Sequence, residues 1–193
     1  AAQAAHDTST YVYYPKGIWI IKDVTPQSKS TVIGVNVRNR LKGSVITRDD
    51  PGSCFSWDDR KNNFIFSCLV FDASADEVTA IKQNIVTQQS QDYLDNSSFI
   101  DLIFTNSVHT CIDANVLGTN YIRCNFQQFT GAFGPASKRI AINSKGTPAA
   151  GNAFVSETNA NVIRDCNFYN GLNPGGGQIC LERGAAWEIQ GKT

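Results

Sequence analysis

Asn120-Tyr121-Ile122-Arg123-Cys124-Asn125-Phe126 and Val162-Ile163-Arg164-Asp165-Cys166-Asn167-Phe168 are two copies of one phrase. A third is Asn63-Phe64-Ile65-Phe66-Ser67-Cys68-Leu69-Val70, and a fourth, with Leu for Cys, is Phe99-Ile100-Asp101-Leu102-Ile103-Phe104. In each, an apolar residue stands three before the Cys or Leu, and Val or Phe stands two after it. Leu102 and Cys124 lie 22 positions apart, Cys124 and Cys166 42, which reads as two steps of the same period. A period of about 20 to 25 residues marks a solenoid, in which each coil buries its face only against the next. The parity inside a phrase predicts that Cys68, Leu102, Cys124 and Cys166 form one inward column. Phe126 and Phe168 then also point inward, and Asn125 and Asn167 outward. Ser67, Asp101, Arg123 and Asp165 fall at a bend between two short strands, where polar side chains satisfy backbone groups.

Length and composition bound the rest. The 193 residues suit one domain, and 17 basic residues balance 17 acidic ones. A net charge of zero lacks the basic footprint of a nucleic-acid binder. No apolar run is long enough to span a bilayer, so membrane insertion is not expected. Residues 1–10 read as an N-terminal tail without the basic and apolar regions of a signal peptide, and the chain has no Met. The segment Trp187 to Thr193 reads as strand and turn rather than a finished cap. A piece of a longer chain, or one that relies on partner chains, is expected.

Residues 11–193 read as a single mostly-β domain. Tyr11 to Ile21 is strand, Pro-x-Gly turn and strand, followed by Thr31-Val32-Ile33-Gly34, Val45-Ile46-Thr47 and Cys54-Phe55-Ser56-Trp57. Two excursions interrupt the period, near 73–96 and near 131–152. The first is charged and Gln-rich, compatible with a short helix. Within the second, Arg139 to Ile142 reads as the strand of an intermediate coil. Of the six cysteines, Cys54, Cys111 and Cys180 share a second place in the coil, each followed by Phe, Ile or Leu. Stacked cysteines behave as small buried apolar groups, so six free thiols are expected rather than disulfides. His6 and His109 are isolated and no CxxC pair occurs, so no Cys/His metal site or cofactor is expected.

The segments Tyr14-Pro15-Lys16-Gly17-Ile18-Trp19-Ile20, Thr31 to Gly34 and Asn161 to Phe168 together resemble the right-handed parallel β-helix of the pectate lyase superfamily, most of all its bacteriophage tailspike branch. They resemble that family's Pro-x-Gly-x-Tyr opening, its strand-to-Gly step and its Asn-Val-x-Ile-x-Asn-Cys-x-Phe coil phrase, here one residue shorter. The resemblance implies an all-β, three-sided coil, a carbohydrate ligand and a parallel homotrimer. It implies a place in a virion tail; secretion is the alternative. It hands over no catalytic residues. Neither the calcium-binding Asp cluster of the lyases nor the Gly-His-Gly of the polygalacturonases is found, and Asp49-Asp50 and Asp58-Asp59 read as turn and corner.

A glycosidase of this shape needs two carboxyl groups flanking one sugar, about 5 Å apart for retention or about 6.5–9.5 Å for inversion. Asp113 and Glu182 each lie two residues after a cysteine of the second set, and Glu157 lies nine before Cys166. These three form the candidate acidic row. Trp187 and Tyr169 are candidate sugar platforms, with Tyr93 a further one, and Arg164 a candidate for an acidic sugar. Ordinary solvated surface residues are the competing reading of all of them. Phe64, Phe71, Phe104, Phe126 and Phe168 read as core stacking. Gly175-Gly176-Gly177 is no phosphate loop, since no Lys-Ser/Thr follows. The leading function is a tailspike-like protein that binds and cleaves a cell-surface polysaccharide, as a glycoside hydrolase-type depolymerase. The alternatives are a non-catalytic structural or adhesive β-helix and, more weakly, a bacterial polysaccharide lyase or epimerase.

Overall fold

Short runs of alternating apolar and polar residues can bury one face only if many of them stack, and here they do. In the computed structural model three long parallel ladders run side by side. The structure describes residues 2–35, 43–58, 61–73, 75, 77–84, 94–105, 108–127, 140–144, 147–148, 155–156, 160–169, 179–181 and 187–190. The first wall stacks Tyr11–Tyr13, Thr31–Ile33, Ile65–Ser67, Ser98–Ile100, Asn120–Ile122, Asn161–Arg164 and Trp187–Gln190. The second stacks Gly17–Ile20, Ser44–Thr47, Val70–Phe71, Ile103–Phe104, Asn125–Gln127 and Asn167–Tyr169. The third stacks Gly52–Asp58, Val78–Asn84, Thr110–Asp113, Ile140–Ser144 and Ile179–Leu181. A small ladder of Lys61–Asn62, Leu94–Asp95 and Val116–Leu117 precedes the first wall, and Thr147–Pro148 pairs antiparallel with Val155–Ser156. This is an all-β parallel β-helix, and right-handed crossovers are what twisted parallel strands require.

The interior is a set of ladders. Val12, Val32, Phe66, Phe99, Tyr121 and Ile163 form the inward column of the first wall. Phe71, Phe104, Phe126 and Phe168 form that of the second. Their rings stack at centroid distances of 5.1, 5.0 and 4.8 Å, with planes within 10° of parallel. Such pairs contribute about 0.5–1.5 kcal/mol each beyond the area they bury. Phe55, Ile81, Ile112 and Ile142 supply the third side.

From the third coil on, two single-residue corners bend each coil. Between the first and second walls stand Cys68, Asp101, Arg123 and Asp165, all with φ between 51 and 57°. Before the first wall stand Lys29, Asn63, Asn96, Gly118 and Ala160, also left-handed. The turned-out amides are not wasted: Cys68 donates to Ile100 O, Asp101 to Ile122 O and Arg123 to Arg164 O, each one coil on. Beside the second corner, Ser97, Thr119 and Asn161 are fully buried. Asn161 accepts from the Thr119 amide at 2.9 Å and donates to Val116 O at 3.1 Å, so buried backbone groups there are paired.

Several sequence expectations need correction. The inward corner column is Leu69, Leu102, Cys124 and Cys166, and Cys68 takes the left-handed corner that Ser67 was expected to hold. Leu69 is fully buried and Cys68 half-buried, so the larger apolar side chain wins the interior. Cys124 and Cys166 belong to adjacent coils, whose first-wall strands pair directly, so the 42-residue step is one long coil. Ile140–Ser144 is accordingly the third wall of that coil and not an intermediate coil. Val78–Asn84, within the first excursion, is a seven-residue strand of the third wall rather than a helix. Cys180 pairs with Asn143, whereas Cys54 and Cys111 align with Ala80 and Ala141, so the second cysteine set splits. The five described cysteine side chains are free thiols. Finally, the expected tail contains a helix, Ala2–Thr8, folded back onto the first coil.

Candidate functional site

Asp113 ends the third strand of the third wall. Residues 110 and 112 of that strand lean inward, so Asp113 falls on the outer face, half-buried. Its column runs Ser56, Lys82, Asp113, Asn143, Cys180. Asn143 Nδ2 donates to Asp113 Oδ1 at 2.7 Å, and Lys82 occupies the matching position one coil earlier. One column over, Asn84 Nδ2 donates to Asp58 Oδ1 at 3.2 Å. The result is a polar row along the wall with donors and acceptors at successive coils. Equivalent atoms recur roughly every 4.8 Å, the strand spacing. Within it Ser56 and Asn143 are buried, and the half-buried Lys82 and Asp113 are the groups that a ligand on this wall can reach.

Among the described residues, no carboxylate stands next to Asp113 in its own column: Lys82 and Asn143 hold both neighbouring places. Glu157 and Glu182 lie outside the described residues, as does Tyr93. The shared register expected for Asp113 and Glu182 does not hold. Asp113 aligns through Asn143 with Cys180, so position 182 is two residues further along.

The other candidates sit on other sides of the coil. Arg164 is exposed on the first wall, its Nε donating to Gln190 Oε1 at 2.9 Å. Gln190 in turn donates to Glu188 Oε1. Trp187 opens the next strand of that wall, opposite Asn161. Tyr169 ends the last described strand of the second wall, opposite Gln127. Arg164 and Trp187 thus share the first wall, while Tyr169 and Asp113 each lie on a different one.

A second polar feature escaped the sequence reading. Arg123 makes a two-pronged ion pair with Asp101, Nε to Oδ1 and Nη2 to Oδ2, both 2.7 Å. The hydrogen-bonded carboxylate of Asp101 pushes the guanidinium's pKa up. Asp165 follows in the same corner column. The signal was present, since Asp101 and Arg123 lie 22 residues apart, one repeat step. Lys82 was missed because its segment was read as an excursion.

The outer surface of the earliest coils is different. Tyr11, Tyr13, Ile18, Ile20 and Ile65 are exposed there, from 39% for Ile65 to 74% for Ile18. Among the described residues, no group of three or more His, Cys, Asp or Glu is placed to hold a metal ion, and no helix is long and apolar enough to cross a membrane.

No protein-family model and no curated protein matches this chain. Among solved structures, the tailspike protein of Acinetobacter phage vB_ApiP_P1 matches with a TM-score of 0.54 at 23% sequence identity. The match covers 78% of this chain and 27% of that one, so the chain spans about a quarter of that protein's length. The likeness is one of fold: this chain is a parallel β-helix similar to the one in that tailspike.

Proposed function

We propose that this chain is the carbohydrate-binding β-helix of a tailspike-like virion protein, which attaches to a cell-surface polysaccharide and cleaves it. The likeness of its coil stack to that of a phage tailspike carries the reading. The half-buried Lys82 and Asp113, on adjacent coils of the third wall, support it, because they set a donor and an acceptor side by side on one face. In this reading two of Asp113, Glu157 and Glu182 serve as acid and base, and Trp187, Tyr169 and Arg164 hold sugar. The protein works as a homotrimer, with the apolar outer side chains of the first coils in the subunit contacts. A metal or organic cofactor has no part in the proposed hydrolysis.

The test is direct. The chain is incubated with a panel of capsular and O-antigen polysaccharides, and new reducing ends and unsaturated ends are measured. New reducing ends without unsaturation support a hydrolase; unsaturated ends point to a lyase. Glu182→Gln should lower turnover by about 10²–10⁴-fold while binding persists, the usual contribution of a general acid or base. Unchanged cleavage would remove Glu182 from the proposal. One observation favours a second reading, a non-catalytic adhesive scaffold: Lys82 and Asn143, not carboxylates, flank Asp113 in its column. Tight binding with no new ends across the panel would select it.

A further inference from the structure

The N-terminal helix, Ala2–Thr8, has seven residues. A helix that short does not persist in water on its own, so its docking must hold it. The contacts are few and specific. Gln3 brackets the backbone of Thr25, donating to its carbonyl at 3.2 Å and accepting from its amide at 2.9 Å. Gln27 donates to Asp7 O. Ala2 packs at the edge of the core. At the centre is His6, with no solvent exposure. Its ring lies 5.7 Å from Phe55 in an edge contact and 6.1 Å from Tyr14. His6 Nε2 and the Tyr14 hydroxyl are 3.0 Å apart, and His6 Nδ1 is buried with no hydrogen-bond partner.

We propose that this helix is a pH-released cap, which closes the N-terminal end of the coil stack while His6 is neutral and leaves it open once the imidazole is protonated. A neutral imidazole satisfies one nitrogen against Tyr14. An imidazolium would carry two N–H donors and a charge into the same site, and one donor would have no acceptor. Few charges face it. Tyr14, from the first coil, stays neutral because burial pushes its phenol up. Phe55, from the third wall, brings no charge, and the Thr25–Gln27 stretch brings amides. Asp7, on the helix itself, is exposed and already accepts from Gln3 at 2.7 Å. Burial outweighs its attraction and lowers the His6 pKa from 6.5 to about 4.

The sign follows. The docked helix has the lower pKa and the released one the ordinary value, so the released state binds more protons between them. Docking is therefore strongest above pH 6.5, weakens as pH falls through the interval, and changes no further below about 4. Across it the closed-to-open ratio should fall by on the order of 10²-fold. Release would uncover the faces of Tyr14 and Phe55 beside the outer edges of Tyr11–Tyr13 and Gly17–Ile20, which no other described strand pairs and where a further strand can add.

The experiment is NMR on the chain between pH 7.5 and 4, following the two histidine ring signals and hydrogen exchange of residues 2–8. His6 should titrate near 4, and the helix amides should lose protection as pH falls from about 6 to 4, while wall amides keep theirs. His6→Phe keeps an aromatic ring in the site without a titrating group and should hold helix protection down to pH 4. A wild-type His6 pKa near 6.5, helix amides still fully protected at pH 4, or the same loss in His6→Phe each overturns the proposal. The wild-type titration stands even if the variant fails to fold.

Discussion

A methyl group added at Gly34 would stand 2.6 Å from Cys68 O, 2.6 Å from Leu69 Cδ2 and 2.7 Å from Ser44 Cβ. Two of those atoms are rigidly placed, one on a corner backbone and one on a fully buried Ser. Gly34→Ala should therefore destabilise the fold by about 1–3 kcal/mol, the usual cost of overpacking. A lowered urea midpoint with unchanged slope is the expected result, and an unaltered midpoint would show that the second and third coils can part at that corner. The residue identities that sequence reading placed well are those with one physical solution. Phe104, Phe126 and Phe168 can only be interior, and Asp101 and Asp165 suit a bend. Cys68 and Leu69 were ambiguous because both are apolar and adjacent. The conformational fact that separates them, a left-handed φ at Cys68, leaves no mark in a single copy.

The thiols are decided by how strands stack. On the outer face of the third wall Cys54 and Cys111 alternate with Ala80 and Ala141, so these two cysteines are never nearest neighbours. Cys124 and Cys166 are neighbours, and the Cys124 amide reaches Cys166 Sγ at 3.4 Å. Stacked side chains of parallel strands run alongside one another, whereas a disulfide needs its two Cβ vectors to converge. Burial pushes the Cys54 thiol up to about 12 and raises that of Cys124. Alkylation without reductant should thus leave Cys54 and Cys124 unmodified in the native protein and label all six cysteines after unfolding. A pair that resists labelling when unfolded would contradict this. At this scale the first and second walls were legible because their phrase repeats. The third wall was only partly so. Cys54, Ala80, Cys111 and Ala141 are buried on its outer face, so Val78–Asn84 lacks the apolar–polar alternation of a half-exposed strand. Glu157 and Glu182 could not be aligned from sequence for a related reason. They lie between phrases, where no second copy fixes a register.

Along the whole stack the outer surface changes character. The first coils expose Tyr11, Tyr13, Ile18 and Ile20, while the later ones carry Arg123, Asp165, Arg164 and Gln190. These four side chains are more than half exposed, two on the first wall and two on the second. For the proposed trimer, sedimentation equilibrium at micromolar concentration should give three times the chain mass, 21.1 kDa. Tyr13→Lys combined with Ile18→Lys should shift it to monomer without loss of β-structure. A wild-type chain that sediments as monomer would sink the trimer.

Successive coils take 33, 22, 42 and 26 residues to return to the same place, yet the strands of the first two walls pair without a slip. From the third coil on, the fixed part of each turn is the path from the second left-handed corner through the first wall to the second wall. The variable count falls in the remaining side, between the end of the second wall and the next return. This has a hereditary consequence. A crossover between two related genes that falls inside the variable side can join segments of unequal length and still yield an in-register protein. The same crossover one strand earlier would break the pairing register, and an odd change of length there would turn that strand's side chains to the wrong face. Lineages of this architecture are thus free to exchange whole loops while the framework descends almost by the letter.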